Sequence, residues 1–352
     1  MKAIRYYGKQ DVRYEDVPDP VLQPGTVKIK PAWCGICGSD LHLYFEGPIP
    51  PAPTDSQPHP LSGETLPVVF GHEFSGVVTE VADDVSGLSV GDHVVVEPFM
   101  VCGQCPACKA GMYNCCEKMG FIGISGRGGG LSEAIVVEQR WVHHIGDIPL
   151  DQAALIEPLS VAGHGVRLSG AKAGDVAVVG GAGPIGLLAA AVLKAIGVTT
   201  IVSEVSQARK DKALSSGVAD YVVDPAKEDL HARVMELTGG AGADVALECA
   251  GVPVVFDALL DALRPGGRLQ VIALFSHNPT LDMGSLLYLE RNIGGTMGYC
   301  NDHERMIKLV QDGKIDLSQF ITKRIKAQDI VRDGYEFLAA NKDTQVKIIA
   351  EM

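Results

Sequence analysis

The stretch DVAVVGGAGPIGLLAAAVLKAIG, residues 175–197, decides the fold of the second half of the chain. Its first seven residues are a nearly continuous apolar run, which is typical of a strand buried on both faces of a parallel sheet. Ala and Leu dominate the segment after Pro184, as expected of a helix lying on that sheet. Strand-like and helix-like runs then alternate: TTIVSE, SQARKDKALSSG, DYVVD, residues 226–239, ADVALECAG, VPVVFDALLDAL and GGRLQVIAL. This alternation predicts an α/β fold with a doubly wound parallel sheet.

The turn inside that stretch has the pattern G-x-G-x-x-G, placed between a predicted strand and a predicted helix. The first glycine permits a tight turn, the second lets the backbone approach a pyrophosphate, and the third lets the helix pack closely on the strand. The free N–H groups of a helix N-terminus attract phosphate. We therefore predict a Rossmann dinucleotide site that contains Gly181, Gly183, Pro184, Ile185 and Gly186.

Two polar residues after the second strand are candidates for the adenosine end of the cofactor. Glu204 ends that strand and could accept hydrogen bonds from ribose hydroxyls while repelling a 2′-phosphate. Arg209 follows five residues later and could cover the adenine or the ribose, although a solvated helix position is an equal alternative. The acidic residue favours NAD over NADP.

The first 150 residues show a different pattern, that of a β-rich domain. Short β-branched runs, among them TVKIKPAWC, FSGVVTEVA and GDHVVVEPF, are separated by Pro and Gly. Residues 46–67 contain seven prolines and are predicted to form a long loop, either functional or simply a solvated insertion. The end of the chain, with a short helix and the strand QVKIIAEM, is expected to return to this first domain.

The nine cysteines are distributed as metal ligands would be, and not as a disulfide framework. The run CGQCPACKAGMYNCC contains Cys102, Cys105, Cys108 and Cys116, four thiols on one short loop, which suits a closed tetrahedral zinc site. Cys115 is an additional candidate, but it and Cys116 cannot both point inward easily. An iron–sulfur cluster and a redox thiol set are the alternatives.

A second metal site is suggested by WCGICGSDLH, residues 33–42, which lies between extended sequence and a predicted irregular loop. A catalytic zinc needs about three protein ligands and an open position. Cys37 and His72 are candidates, and the third ligand could be Glu73 or Glu157. A buried cysteine or a satisfied core histidine is the alternative for each residue taken alone.

Several motifs occur together in an order that resembles the zinc-dependent medium-chain dehydrogenases: CGICGSDLH, GHEFSG, GDHVVVEP, the four-cysteine loop, IEPLSVAGHG and GGAGPIG. They cover essentially the whole chain. The resemblance implies a GroES-like β-rich catalytic domain, residues 1–156 and 296–352, and a Rossmann cofactor domain, residues 157–295. It also implies one catalytic and one structural zinc.

The resemblance implies roles for individual residues as well. Cys37 and His72 would hold the catalytic zinc with an acid, for which Glu157 ranks above Glu73. Ser39 would take the proton of the substrate alcohol, and His42 would pass it towards solvent. A hydride would pass to the nicotinamide. The long proline-rich loop favours the branch of the family that oxidises a vicinal diol, (R,R)-2,3-butanediol, to acetoin.

Composition excludes some partners and leaves other functions open. A net charge of −13 makes nucleic acid an unlikely partner, and no apolar run is long enough to span a membrane. The N-terminus lacks the features of a signal peptide, so we expect a cytoplasmic protein. The resemblance implies a homodimer or homotetramer. A sorbitol, polyol or L-threonine dehydrogenase, or a non-catalytic NAD(P)H-binding protein, remain the alternatives.

Overall fold

The computed structural model describes residues 1–352 and divides into two compact units. The first unit consists of Met1–Glu157, His303–Gln311 and Asp316–Met352, and the second consists of Pro158–Asp302 and Asp312–Ile315. None of the helices combines the length and the apolar character needed to cross a membrane.

The chain contains 18 strands, which are, in order, β1 Lys2–Gly8, β2 Asp11–Asp16, β3 Thr26–Gly35, β4 Val68–Val69, β5 Glu73–Val81, β6 His93–Val96, β7 Phe99–Met100, β8 Gly120–Phe121, β9 Ile135–Glu138, β10 Val142–His144, β11 Val176–Gly180, β12 Thr199–Ser203, β13 Tyr221–Val223, β14 Ala243–Glu248, β15 Leu263–Val271, β16 Asn292–Gly295, β17 Ile321–Lys326 and β18 Lys347–Glu351. The α-helices are α1 Gly38–Glu46, α2 Pro106–Lys109, α3 Leu150–Ala153, α4 Ile156–Ser169, α5 Pro184–Ala195, α6 Gln207–Ser215, α7 Leu230–Leu237, α8 Pro253–Asp261, α9 Met283–Leu289, α10 His303–Gln311 and α11 Phe337–Ala340. Short 3₁₀ turns and one π-helical segment complete the list: Tyr113–Cys115, Gln139–Trp141, Leu317–Phe320, Ala327–Asp329 and the π-helical Ile330–Glu336.

A mixed sheet forms the centre of the first unit, with the strand order β10-β6-β5-β3-β18-β17 and with β9 also paired to β3. The antiparallel pairing of β3 with β5 places Gly35 opposite Glu73. Cys37 follows Gly35 by two residues and His72 precedes Glu73 by one, so this register brings the two predicted ligands to the same end of the pair. The last strand, β18, pairs with the other edge of β3, as expected from the sequence.

The predicted irregular loop after Cys37 is wrong, because residues Gly38–Glu46 form helix α1. Cys37 is the N-cap residue, and the carboxylate of Asp40 accepts a hydrogen bond from its backbone N–H at 2.9 Å. This is the reciprocal half of a capping box, in which cysteine replaces the usual Ser or Thr. The unusual cap residue explains why the sequence pattern did not indicate a helix.

The proline-rich segment contains no helix or strand between residues 47 and 67, as predicted. It is nevertheless held firmly against the rest of the first unit. The buried side chain of His59 lies with Nε2 3.2 Å from the carbonyl oxygen of Met119, and the hydroxyl of Ser62 donates to the carbonyl of Ser125 at 2.6 Å. The segment is therefore an ordered loop that covers one face of this unit.

The second unit contains one sheet with the strand order β13-β12-β11-β14-β15-β16, in which every neighbouring pair is parallel. This confirms the predicted doubly wound sheet. Its central strands are fully buried, with Val178, Ile201, Ala246 and Leu269 all at 0% exposure. The helix predicted over residues 226–239 is shorter, Leu230–Leu237, since Asp229 caps its N-terminus by accepting from the N–H of Ala232.

The glycine turn of this sheet generates a stability prediction. A Cβ on Gly186 would lie 1.9 Å from the carbonyl oxygen of Gly181, whereas a Cβ on Gly183 meets nothing within 4 Å. Gly186→Ala should therefore lower the free energy of unfolding by at least about 1–3 kcal/mol through overpacking. Gly183→Ala should cost less than about 1 kcal/mol. Urea denaturation of both variants checks this, and equal losses would contradict the contact.

Candidate functional site

The structure brings Cys37, His72 and Glu73 together in the first unit. One donor atom of each lies within 4.8 Å of the corresponding atoms of the other two. His72 is 4% exposed and Glu73 is fully buried, while Cys37 is partly accessible. A thiol, an imidazole and a carboxylate that converge at a partly open position are a donor set that fits zinc with a vacant coordination site for a substrate.

Asp40 contacts both Cys37 and His72, the two zinc ligands that the sequence predicts. One carboxylate oxygen accepts from the N–H of Cys37, and the other lies 3.5 Å from Nδ1 of His72. With Nδ1 turned to a carboxylate, Nε2 of His72 is left to act as the ligand atom, an arrangement common around metal-binding histidines. Burial on its own would lower the pKa of His72, but Asp40, Cys37 and Glu157 more than offset it and raise the pKa well above its usual value.

The two candidate acids have different surroundings. Glu73 forms a buried ion pair with Lys347, whose ammonium contacts both carboxylate oxygens and also donates to the carbonyl of Ile36 at 3.0 Å. Burial would lower the pKa of Lys347, but Glu73 outweighs this and raises it. Glu157 is 6% exposed, and its charge contributes to the raised pKa of His72.

Helix α1 carries the two predicted proton-relay residues. The hydroxyl of Ser39 lies 3.4 Å from Nε2 of His72, so it borders the ligand atoms directly. His42 is exposed to solvent one helical turn further along. Cys34, by contrast, is fully buried and behaves as the core residue that the sequence suggested.

The sulfur atoms of the four-cysteine loop also converge, as their spacing predicts. Cys102, Cys105, Cys108 and Cys116 place their sulfur atoms within 4.8 Å of one another, while Cys115 is exposed and lies outside the group. The backbone N–H groups of Gln104 and Cys105 point at the sulfur of Cys102 and lower its pKa to about 6, which favours the thiolate. Four sulfur atoms that converge in this way match a closed tetrahedral zinc site.

The glycine turn of the second unit has the geometry of a phosphate-binding loop. Gly181 has φ +91°, a conformation that favours glycine, and Gly183 is the N-cap of α5 with Pro184 in its first turn. Ile185 and Gly186 complete the predicted run inside that helix. The open space above Gly183 leaves the N–H groups of the helix N-terminus accessible to an anion.

Glu204 has a structural contact that the sequence analysis did not foresee. Its Oε2 accepts from the N–H of Ala182 at 2.8 Å, and its Oε1 accepts from Val205 and Ser206 at 2.8 and 2.9 Å. Arg209 lies 3.9 Å from Oε2. Since a carboxylate has about four acceptor positions, Oε2 can still accept one further hydrogen bond. Glu204 therefore fastens the glycine turn to the end of β12.

Comparison with known proteins gives the family. Residues 23–147 match the family described as alcohol dehydrogenase GroES-like domain, and residues 184–312 match zinc-binding dehydrogenase. The chain is also 54% identical over 352 residues to an (R,R)-butanediol dehydrogenase of Neisseria gonorrhoeae, with 99% of each chain covered. The chain belongs to the zinc-dependent medium-chain dehydrogenases. This dehydrogenase is therefore an enzyme that uses zinc and a nicotinamide cofactor.

Two further relatives match the dehydrogenase from end to end. An (R,R)-butanediol dehydrogenase of Bacillus subtilis is 42% identical, again with 99% of each chain covered. The crystal structure of 2R,3R-butanediol dehydrogenase from Bacillus subtilis superimposes with a TM-score of 0.93 at 39% identity, covering 100% of this chain and 99% of that one. These matches confirm the predicted GroES-like and Rossmann fold class.

Sequence reasoning missed the contact of Asp40 with His72 and the whole contribution of Lys347. Asp40 could have been found, because a carboxylate three residues after a ligand at a helix start can reach both the cap and a neighbouring histidine. Lys347 lies 274 residues from Glu73 along the chain, and no local pattern connects the two.

The contact between Asp40 and His72 predicts a loss of metal affinity on mutation. Asp40→Asn keeps the size of the side chain but removes the charge that faces Nδ1 of His72. We expect a roughly 10–100-fold loss in zinc affinity and in turnover, as is usual when an outer partner of a ligating histidine is altered. Zinc content after dialysis and steady-state rates measure this. Asp55→Asn, on the exposed loop, is the control, and an equal effect of both changes would contradict the assignment.

The buried pair of Lys347 and Glu73 predicts a large stability effect. Lys347→Met leaves the carboxylate buried without its cation, which should reduce the free energy of unfolding by about 3–5 kcal/mol. The double variant Glu73→Gln with Lys347→Met removes both charges and should recover part of that loss. Denaturant unfolding of both proteins tests this, and a double variant no more stable than the single one would rule out charge burial as the cause.

Proposed function

We propose that this dehydrogenase oxidises (R,R)-2,3-butanediol to acetoin with NAD⁺ and catalyses the reverse reduction, including that of diacetyl. The observation that carries the proposal is the convergence of Cys37 and His72 with carboxylates at a partly open site, in a chain that matches butanediol dehydrogenases from end to end. The first unit would supply catalysis and the second the cofactor site, with functional boundaries at 156/157 and 295/296.

Cys37, His72 and Glu157 are the proposed ligands of the catalytic zinc. When bound there, zinc would supply Lewis-acid polarisation of the substrate hydroxyl. Glu73 is the less favoured ligand, because Lys347 already contacts both of its oxygens and compensates its charge. Glu157 is buried, and its negative charge contributes to the raised pKa of His72. We assign Glu73 a structural role, in which its ion pair with Lys347 stabilises the backbone next to the site.

Ser39 and His42 are proposed to carry the alcohol proton away from the site. The Ser39 hydroxyl lies beside the ligand atom of His72 and would accept the proton. His42 follows on the same helix with its ring in solvent, so it would release the proton to water. The second hydroxyl of a vicinal diol would hydrogen-bond to Glu157. An acid at this position is suited to a diol because a carboxylate accepts hydrogen bonds that a thiolate accepts poorly.

NAD is the proposed cofactor, held by the glycine turn of residues 181–186 and by the free acceptor position of Glu204. The negative charge of Glu204 would repel the additional phosphate of NADP, and Arg209 would lie along the ribose or the adenine. The nicotinamide would supply the hydride acceptor. The four cysteines of the loop Cys102–Cys116 are proposed to hold a structural zinc.

We also propose a homo-oligomer, dimeric or tetrameric, assembled through the edge of the parallel sheet of the second unit. Strand β16 is the last strand of that sheet and has one unpaired edge. Apolar side chains of the adjacent helix α9 are largely exposed, with Leu287 at 73% and Tyr288 at 84%. An unpaired edge beside exposed apolar residues is a favourable surface for pairing with a second copy.

The substrate assignment predicts the result of a direct assay. Purified dehydrogenase with NAD⁺ and (R,R)-2,3-butanediol should reduce the nicotinamide faster than with the meso or S,S diols, sorbitol or L-threonine, and faster than with NADP⁺. A chelator should suppress the activity. Nicotinamide absorbance measures the rates, and acetoin is identified as the product.

Cys37→Ala is the matched control for this assay. It should reduce turnover by more than the roughly 10–100-fold expected from outer-partner changes, while NAD⁺ binding measured by fluorescence stays intact. Turnover on sorbitol or L-threonine alone would discard the diol and keep the mechanism. Full activity of the Cys37 variant would discard the zinc mechanism itself.

A further inference from the structure

A third group of metal-ligand side chains lies in the first unit and shares no residue with the two sites described above. Glu97 follows strand β6, His143 belongs to β10 and His303 begins helix α10. One donor atom of each lies within 4.8 Å of the others. The side chains of Glu97 and His303 are 3% and 0% exposed, and that of His143 is 15% exposed. We propose that these three residues form a further Zn²⁺ site, which neither the family nor the catalytic mechanism requires.

The distances in this cluster fit a shared metal ion better than hydrogen bonds. Oε2 of Glu97 lies 3.5 Å from Nε2 of His143 and 3.6 Å from Nδ1 of His303. Both separations exceed the 2.7–3.2 Å range of N–H···O hydrogen bonds. Zinc bonds of 2.0–2.1 Å in a tetrahedron imply ligand-to-ligand distances of about 3.3–3.4 Å. These two separations differ from the tetrahedral value only by tenths of an ångström, and the donor atoms of the two histidines lie within 4.8 Å of each other.

The surroundings of Glu97 prepare it as a ligand. The Tyr113 hydroxyl donates to Oε1 at 2.6 Å, so the other oxygen, Oε2, faces the two imidazoles. The backbone N–H of Glu97 donates to the carbonyl of Trp141 at 2.8 Å, which fixes the residue next to strand β10. A ligating carboxylate that is itself hydrogen-bonded is typical of built metal sites.

His143 provides an independent indication. Its Nε2 is buried and has no hydrogen-bond partner, although it points at the carboxylate of Glu97. Its other ring nitrogen lies 3.9 Å from the exposed carboxylate of Glu304, an outer partner that would raise the basicity of the ligand. A buried ring nitrogen without a partner is costly, and coordination of a cation would remove that cost.

Two imidazoles and one carboxylate leave a fourth position for water, a set that suits Zn²⁺. Because the three ligands come from the residue after β6, from β10 and from α10, the ion would join helix α10 to the sheet. It would bind only the folded chain and so stabilise it by mass action. The alternative is an ion pair, in which one protonated imidazole neutralises Glu97 without metal.

Measurement of the zinc content of the purified protein distinguishes the zinc site from the metal-free ion pair. Wild-type protein and the variants His143→Ala and Glu97→Gln are incubated with excess Zn²⁺, passed through a gel-filtration column and analysed for metal per chain. The control is His144→Ala, the neighbouring position on β10, whose ring is exposed and lies 2.7 Å from the carbonyl of Gly87. We expect wild type and the control to retain one more zinc per chain than His143→Ala, and added Zn²⁺ to raise their melting temperature more.

Equal zinc content in wild type and His143→Ala would overturn the proposal in favour of the ion pair. If His143→Ala does not fold, the comparison rests on Glu97→Gln, which keeps the acceptor for Tyr113 but weakens the ligand. Equal retention of zinc by that variant and by wild type would equally overturn it. Diol turnover is not a readout here, so failure of the substrate assignment and failure of this site give separate results.

Discussion

The antiparallel pairing of β3 with β5 is the constraint on which the whole metal-binding region depends. In its register Gly35 faces Glu73, and a Cβ on Gly35 would lie 2.2 Å from Oε2 of that carboxylate. A slip of one residue would turn each side chain to the opposite face of the sheet and separate Cys37 from His72. Strand β18 pairs with the other edge of β3 and delivers Lys347 to Glu73. Strand β18, near the end of the chain, thus contributes Lys347 to the region that contains Cys37.

Three buried carboxylates of the first unit lie beside a cation, an imidazole or a phenol, which is expected because an isolated charge in the interior is costly. Lys347 compensates Glu73, and the imidazole of His72 lies beside Asp40. The two candidate acids differ in this respect: an ammonium compensates the charge of Glu73, whereas the charge of Glu157 contributes to the raised pKa of His72. Glu97 is the third instance, with two imidazoles and a phenol around it in place of a cation.

Much of the fold could be predicted because its signals are local. The parallel sheet of the second unit follows from apolar strands that alternate with helices, and its glycine turn follows from close approaches within six residues. The four cysteines meet because they belong to one loop. Helix α1 was missed because its cap residue is a cysteine, and the contact of Asp40 with His72 was not predicted. The ion pair of Glu73 could not be predicted from motifs, because its partner is a lysine 274 residues away.

The sequence by itself determined the family, the doubly wound sheet, the glycine turn and the candidate ligands Cys37 and His72, since each is encoded by residue type and short spacing. Tertiary structure alone decided which carboxylate is neutralised, how the ring of His72 is turned, and that Glu97, His143 and His303 meet at all. The physical reason is that these contacts join distant segments. Their geometry depends on strand register and on side-chain direction. A shift of one residue or a change of one rotamer would break these contacts, and the spacing of residues along the chain predicts neither the register nor the rotamer.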